Sequence, residues 1–173
     1  MDVGVGVSLN TEGGGNGGYG VSLPLRFGNF SVEPELSFYD SSEDTTYPTL
    51  STNNRIYDYQ QYTLETGVYW RRPIIPSVEM YVGGRVGYTK YEYSVTRPLS
   101  PTNSYSYDES GYFLGPTLGA EYFFNKNFSM GLDASLLYES TSGENVSASP
   151  GNTYKQDRTE INYQGRARLR FYF

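Results

Sequence analysis

The chain contains no cysteine and no histidine. Without cysteine it can have neither a disulfide framework nor a thiolate metal site. Without histidine it lacks the commonest general base and metal ligand. Long apolar runs are also missing, since no stretch approaches the roughly 18–20 residues that a spanning helix needs. That excludes a helical membrane protein but not a membrane β-barrel, whose alternation halves the apparent hydrophobicity. Basic residues are scarce, with 13 Lys and Arg against 19 Asp and Glu. The formal charge of −6 argues against a nucleic-acid partner. No leader pattern opens the chain, and strand-like alternation begins at Val3. Met1 is therefore expected to be an added start on a mature chain whose leader is absent.

What the chain does have is 19 tyrosines and 20 glycines among 173 residues, a length suited to one domain. Tyrosine favours strands and membrane interfaces, and glycine favours turns and crowded barrel interiors. The closing segment, Ile161 to Phe173, shows the pattern most clearly. Ile161, Tyr163, Gly165, Ala167, Leu169, Phe171 and Phe173 share one strand face, while Asn162, Gln164, Arg166, Arg168, Arg170 and Tyr172 share the other. One face is apolar and the other strongly cationic.

The same period of two recurs along the chain and predicts eight strands. The first covers residues 3–9. The second, Tyr19 to Phe27, is weakened by Pro24, because proline removes a ladder donor. Gly28-Asn29 predicts a tight hairpin into a third strand from Phe30 to Phe38. Later strands begin near Ile56, Val78, Tyr112 and Phe128, with RRPIIPS (71–77) as a compact connection and Asn125 to Asn127 as a short turn. Aperiodic polar stretches at 11–18, 39–55, 93–110 and 140–158 predict loops. Loops and turns alternate, which puts the termini and all turns on one side and all loops on the other. The aromatic residues of the apolar face sort the same way. Phe27, Phe30, Trp70, Phe124, Phe128, Phe171 and Phe173 fall on the turn side, and Tyr19, Tyr62, Tyr88, Tyr112, Tyr138 and Tyr163 on the loop side. Two aromatic girdles with aliphatic residues between them fit two lipid–water interfaces.

The polar face combines glycine and serine with charge. Glycine gains nothing on a solvated strand, but inside an eight-stranded barrel small residues make room for large ones. Arg26, Arg85, Arg166, Arg168 and Arg170 are expected to pair inside the lumen with Glu33, Glu35, Glu65, Glu79, Glu121 and Asp133. An arginine on the lipid face costs roughly 2–4 kcal/mol at mid-bilayer. A one-residue slip of the last strand would expose three of them together, so the register is strongly specified. The reading is an all-β, eight-stranded antiparallel transmembrane β-barrel: an up-and-down meander, residues 1–173 as one domain, with short periplasmic turns and long extracellular loops.

On these residues the chain resembles the OmpA/OmpX-like small eight-stranded outer-membrane proteins. The resemblance implies a bacterial outer-membrane location with periplasmic termini. It also implies that Gly165, Ala167, Leu169, Phe171 and Phe173 form the carboxy-terminal signal read by the assembly machinery. Outer-membrane lipids and lipopolysaccharide, that machinery and an extracellular surface ligand are the expected partners, and no cofactor is expected. No peptidoglycan-binding domain of the OmpA kind is expected after Phe173. Some relatives modify lipid A with an active-site histidine, a mechanism that cannot carry over here.

Other candidate chemistry has blander explanations. Gly13, Gly15 and Gly18 match a dinucleotide-binding spacing, but no helix pattern follows. Glu33 and Glu35 could serve as a glycosidase pair, yet the arginine-rich last strand favours ion pairing. Asp40, Glu43 and Asp44 could hold a divalent cation, although a solvated acidic loop explains them as well. Asn145-Val-Ser147 matches a glycosylation acceptor, which is irrelevant in a bacterium. A structural or surface-interaction barrel acting through its loops is the leading expectation. A narrow pore for small solutes comes second and an enzyme last.

Overall fold

The computed structural model describes residues 1–12, 17–45, 54–97, 104–147 and 153–173. Its strands are β1 (Asp2–Glu12), β2 (Gly17–Ser22), β3 (Leu25–Phe27), β4 (Phe30–Thr45), β5 (Arg55–Ile75), β6 (Val78–Thr96), β7 (Tyr105–Phe123), β8 (Phe128–Ser147) and β9 (Thr153–Tyr172). All neighbours pair antiparallel in chain order, and β1 pairs with β9 from Gly4–Tyr172 to Glu12–Gln164, closing the ring. Along β1 to β3 the described sheet closes on itself and leaves no edge to protect, whereas β4 beyond Phe38 and β9 before Gln164 pair on one side only.

β2 and β3 together make one stave, interrupted at Leu23 and Pro24 as the proline foretold. The neighbouring strands use what proline leaves: the Gly4 amide donates to the Pro24 carbonyl at 2.9 Å, and the Leu23 amide to the Pro34 carbonyl at 2.9 Å. At the β3–β4 hairpin Gly28 has φ 60°, a conformation only glycine adopts without strain. In the Asn125–Asn127 turn the Asn125 side chain accepts from the amides of Asn127 (2.8 Å) and Phe128 (2.9 Å). The Asn127 side chain then donates to the Tyr172 carbonyl at 2.7 Å, tying the last strand to its neighbour.

The barrel is apolar outside and polar inside. Leu64 is 62% exposed and Leu132 61%, whereas Glu33 is 1% exposed. Register aligns the girdles, with Phe27 opposite Phe30 and Phe30 opposite Trp70 at the turn side. Phe124 stacks on Phe128 at 5.3 Å, and Phe128 pairs with Phe171 across β8 and β9. On the loop side Tyr19 meets Phe38, and Tyr88 meets Tyr112 at 5.2 Å. Along β5 the outward belt runs from Tyr62 to Trp70. That is about the 9–11 residues a tilted strand needs to cross a bilayer.

Strand lengths correct the sequence reading. β5 has 21 residues, β8 and β9 have 20 each, and β4 continues to Thr45. Much of each expected loop is therefore strand that continues past the tyrosine girdle, and 71–77 is strand up to Ile75. Past the girdle the hydrophobic pattern changes phase rather than ending. Asp58, Glu92 and Asp108 point outward there, while Tyr59, Tyr93 and Tyr107 point inward. An outward face in water needs polar residues, and the inward face becomes the drier one. Residues 46–53, 98–103 and 148–152, like Gly13 and Gly15 of the glycine-rich stretch, lie outside the described residues.

Candidate functional site

β9 delivers three arginines in succession to the lumen, because alternate residues of a strand share a face. Arg170 reaches Glu33 (2.8 Å) and Glu121 (3.0 Å). Arg168 reaches Glu33 (2.5 Å), Asp133 (3.1 Å) and Glu35 (3.4 Å). Arg166 reaches Glu35 (3.0 Å) and Glu65. Arg85 from β6 closes on the other side of Glu65 and lies 3.9 Å from Asp133. At the turn-side end Arg26 pairs with Glu79 at 2.7 Å. Apart from Arg26 and Glu79, which pair with each other, the charged residues expected inside the lumen form one connected set of ion pairs.

One further member lies outside the sequence expectation. Arg71 falls in the expected proline-rich connection, yet it follows Tyr69 on the lumen face of β5 and is 2% exposed. It contacts Glu121 directly, Glu79 at 3.1 Å and Glu33 at 3.5 Å, joining the Arg26–Glu79 pair to the rest. With Arg71 the network holds six guanidinium groups and six carboxylates, a full charge balance. The signal is present in the sequence: counting by twos from Glu65 through Gly67 and Tyr69 lands on Arg71.

Tyrosines complete the packing. The Tyr81 hydroxyl donates to Asp133 at 3.1 Å, and the guanidiniums of Arg71 and Arg170 lie 5.0 and 5.7 Å from the centre of its ring. The Tyr172 hydroxyl donates to Glu121 at 3.0 Å. These rings fit because glycines face them. A Cβ at Gly119 would run into the Tyr81 ring, and one at Gly67 into Tyr69. Farther up, Gln61, Thr63, Thr89, Phe113, Leu137 and Gln164 surround a void of about 10 Å³, roughly the space of one water.

Beyond the girdle the lumen reopens into a cavity of about 310 Å³ lined by Tyr59, Tyr91, Tyr93, Tyr107, Glu109, Glu139, Thr141, Arg158 and Glu160. Antiparallel register sets Tyr59, Tyr93 and Tyr107 side by side on three adjacent strands. Two of the three carboxylates here take neutral donors, while Glu160 pairs with Arg158. Glu109 accepts from the Tyr107 hydroxyl at 2.7 Å and from Thr141. Glu139 accepts from the Tyr91 hydroxyl at 2.8 Å and from the Asn162 amide at 2.9 Å. Burial and the hydrogen bond to Glu109 push the Tyr107 hydroxyl up to about 12, and burial with a bond to Tyr105 does the same for Tyr93. Partial burial works against the charge of Arg158, but its bond to Glu160 and the fields of Glu160, Glu109 and Glu139 push it above the usual arginine value. The cavity is therefore electronegative. Most of these residues fall in the stretches expected to be loops, and none was singled out from the sequence.

The remaining candidates do not gather into a site. Asp40 and Asp44 share one face of β4 and Glu43 the other, and among the described residues no group of three or more acidic residues could hold a metal. Glu33 and Glu35 are both engaged by arginines. The side chain of Asn145 lies outside the described residues. Leu169, Phe171 and Phe173 face outward and are exposed, with Gly165 and Ala167 half-buried on the same face.

The sequence matches the model of the outer membrane protein beta-barrel domain family over residues 2–171. No curated protein sequence matches it. Among solved structures it is similar to a major outer membrane protein from Thermus thermophilus, with TM-score 0.71 and 17% identity over 99% of both chains. It is also similar to OprG from Pseudomonas aeruginosa, with TM-score 0.70 and 13% identity over 99% of this chain and 94% of that one. Ail of Yersinia pestis, solved in complex with the heparin analogue sucrose octasulfate, matches with TM-score 0.53 and 11% identity over 99% of this chain and 96% of that one. At such identities the likeness is one of fold.

Proposed function

The chain belongs to the outer membrane protein β-barrel family of bacteria, and from that membership we propose a surface-interaction role for a barrel closed by its own ion pairs. The observation that carries the reading is the unbroken network from Arg26 to Arg85, which fills the membrane-spanning lumen. Eight strands leave an interior just wide enough for such side chains. What stays accessible is the part beyond the tyrosine girdle, where strands of 19 to 21 residues carry the sheet into the extracellular medium. A rigid, hydrogen-bonded extension presents its surface at a lower entropy cost than a flexible loop would.

In this reading the termini and short turns are periplasmic, because the long projections must face outward. Lipids and lipopolysaccharide surround the belt, and an extracellular ligand meets the projecting end. No catalytic role is assigned. The Ail structure holds a sulfated polyanion, whereas the mouth of this barrel is electronegative, so a ligand of the opposite charge suits this chain. Planar-bilayer recording tests the closed barrel: the purified protein is expected to give no discrete openings. Steady unitary conductance would replace this reading with a narrow pore.

A further inference from the structure

Charge is handled in two different ways along the lumen. Below the girdle each buried carboxylate lies within ion-pair distance of an arginine. Above it, Glu109 and Glu139 are 6% and 7% exposed and meet only neutral hydroxyl and amide donors among the described residues, while the cation lining the cavity, Arg158, is bonded to Glu160. Arg158 lies in the field of both but forms its ion pair with Glu160, so three carboxylates share one guanidinium, and buried charge left short of a partner is costly. Both border a cavity of about 310 Å³ whose other walls are four tyrosines, Thr141 and the Arg158–Glu160 pair. A bare divalent ion would need a shell of six or more oxygens, and among the described residues no cluster offers one. Aromatic faces and carboxylates together are what a large, weakly hydrated cation requires.

We propose that the loop-side mouth binds an organic ammonium group, seated between the carboxylates of Glu109 and Glu139 and the rings of Tyr59, Tyr93 and Tyr107. The plug beneath makes this a blind pocket, so the group is held rather than passed. This deepens the surface-interaction reading, on which it rests, by naming what the mouth recognises: the cationic end of a choline-like headgroup or an amine displayed by a partner.

Isothermal titration of the folded barrel in maltoside micelles tests it, with choline as the probe. Its neutral isostere 3,3-dimethylbutan-1-ol, in which a tert-butyl group replaces the trimethylammonium, is the control. Choline is expected to bind saturably at one site and the alcohol not at all. The double variant Glu109→Gln with Glu139→Gln should lose at least tenfold in choline affinity. Glu144→Gln, which removes an equal charge from the outer face of β8, should keep it. Tyr93→Leu leaves both carboxylates in place and should weaken choline several-fold, giving a second reading if the double variant folds poorly. Absent choline binding, equal binding of the alcohol, or unchanged affinity in the double variant or in Tyr93→Leu would overturn the proposal. A conducting barrel that still binds choline overturns only the closed-barrel reading, and a closed barrel that ignores choline overturns only this one.

Discussion

Glu33 and Arg168, 135 positions apart in the chain, meet at 2.5 Å in the centre of the lumen. Glu33 also receives Arg170 at 2.8 Å and Arg71 at 3.5 Å, so one carboxylate on β4 neutralises guanidiniums from β5 and β9. Removing one partner of a buried pair leaves an uncompensated charge and typically costs about 3–5 kcal/mol. Glu33→Gln keeps the shape and loses the charge, stranding positive charge from three arginines. The variant is expected to fold but to lose its compact gel mobility at a clearly lower temperature than wild type. Unchanged heat resistance would show that the network fills space without holding the barrel together.

Conductance should follow the same residues. Glu65 bridges Arg85 and Arg166, and Glu33 bridges Arg168 and Arg170. Replacing Glu33 and Glu65 together by alanine frees arginine side chains to swing toward water and empties two positions in the stack. Brief discrete openings, absent in wild type, are the expected result in planar bilayers. Given the surplus of arginine left behind, those openings should favour anions.

Alternation was legible in the sequence because a barrel leaves each strand only two environments, lipid and lumen. The inside–outside assignment, the interruption at Pro24 and the terminal-strand register all follow from that constraint. Arg71 escaped notice because Pro73 and Pro76 suggested that the strand had ended, when proline only had to find positions with no ladder donor to lose. The tyrosine-lined mouth escaped for a different reason. From Tyr105 to Asp108, inside a stretch expected to be a loop, the period of two persists, but its polarity is reversed relative to the belt, since water replaces lipid outside. A search for one apolar face of constant phase reads such a reversal as a loop. Which carboxylates would lack an ion pair of their own could not be read from the sequence at all, because that depends on the stagger between strands.

Close packing in the plug gives a third expectation. The position that a Cβ of Gly119 would occupy is taken by the Tyr81 ring, and Tyr81 is itself held by Asp133 and flanked by Arg71 and Arg170. Gly119→Val has no space without moving that ring and its hydrogen bond. Overpacking of this kind costs about 1–3 kcal/mol. Adding Tyr81→Ala should recover part of the loss, because the ring is what the valine meets. Equal stability of Gly119→Val and wild type, read from thermal unfolding in detergent, would mean that the ring has freedom the geometry does not suggest.

The end of β9 separates recognition from stability. Phe171 pairs with Phe128 and packs edge-on to Phe173 at 5.4 Å, yet Phe173 is 73% exposed and points toward the lipid. Its backbone amide still donates to the Val3 carbonyl at 2.9 Å, so a change that keeps the backbone keeps the closure. Phe173→Ser therefore removes an exposed ring and little packing, and refolding from urea into detergent should be close to wild type. If the alternating residues Gly165, Ala167, Leu169, Phe171 and Phe173 are read by the assembly machinery, the same variant should accumulate poorly as folded barrel in cells. Parallel measurement of heat-modifiable protein in both settings separates the two roles. A deficit in cells without one in detergent assigns Phe173 to recognition, while equal deficits in both assign it to stability.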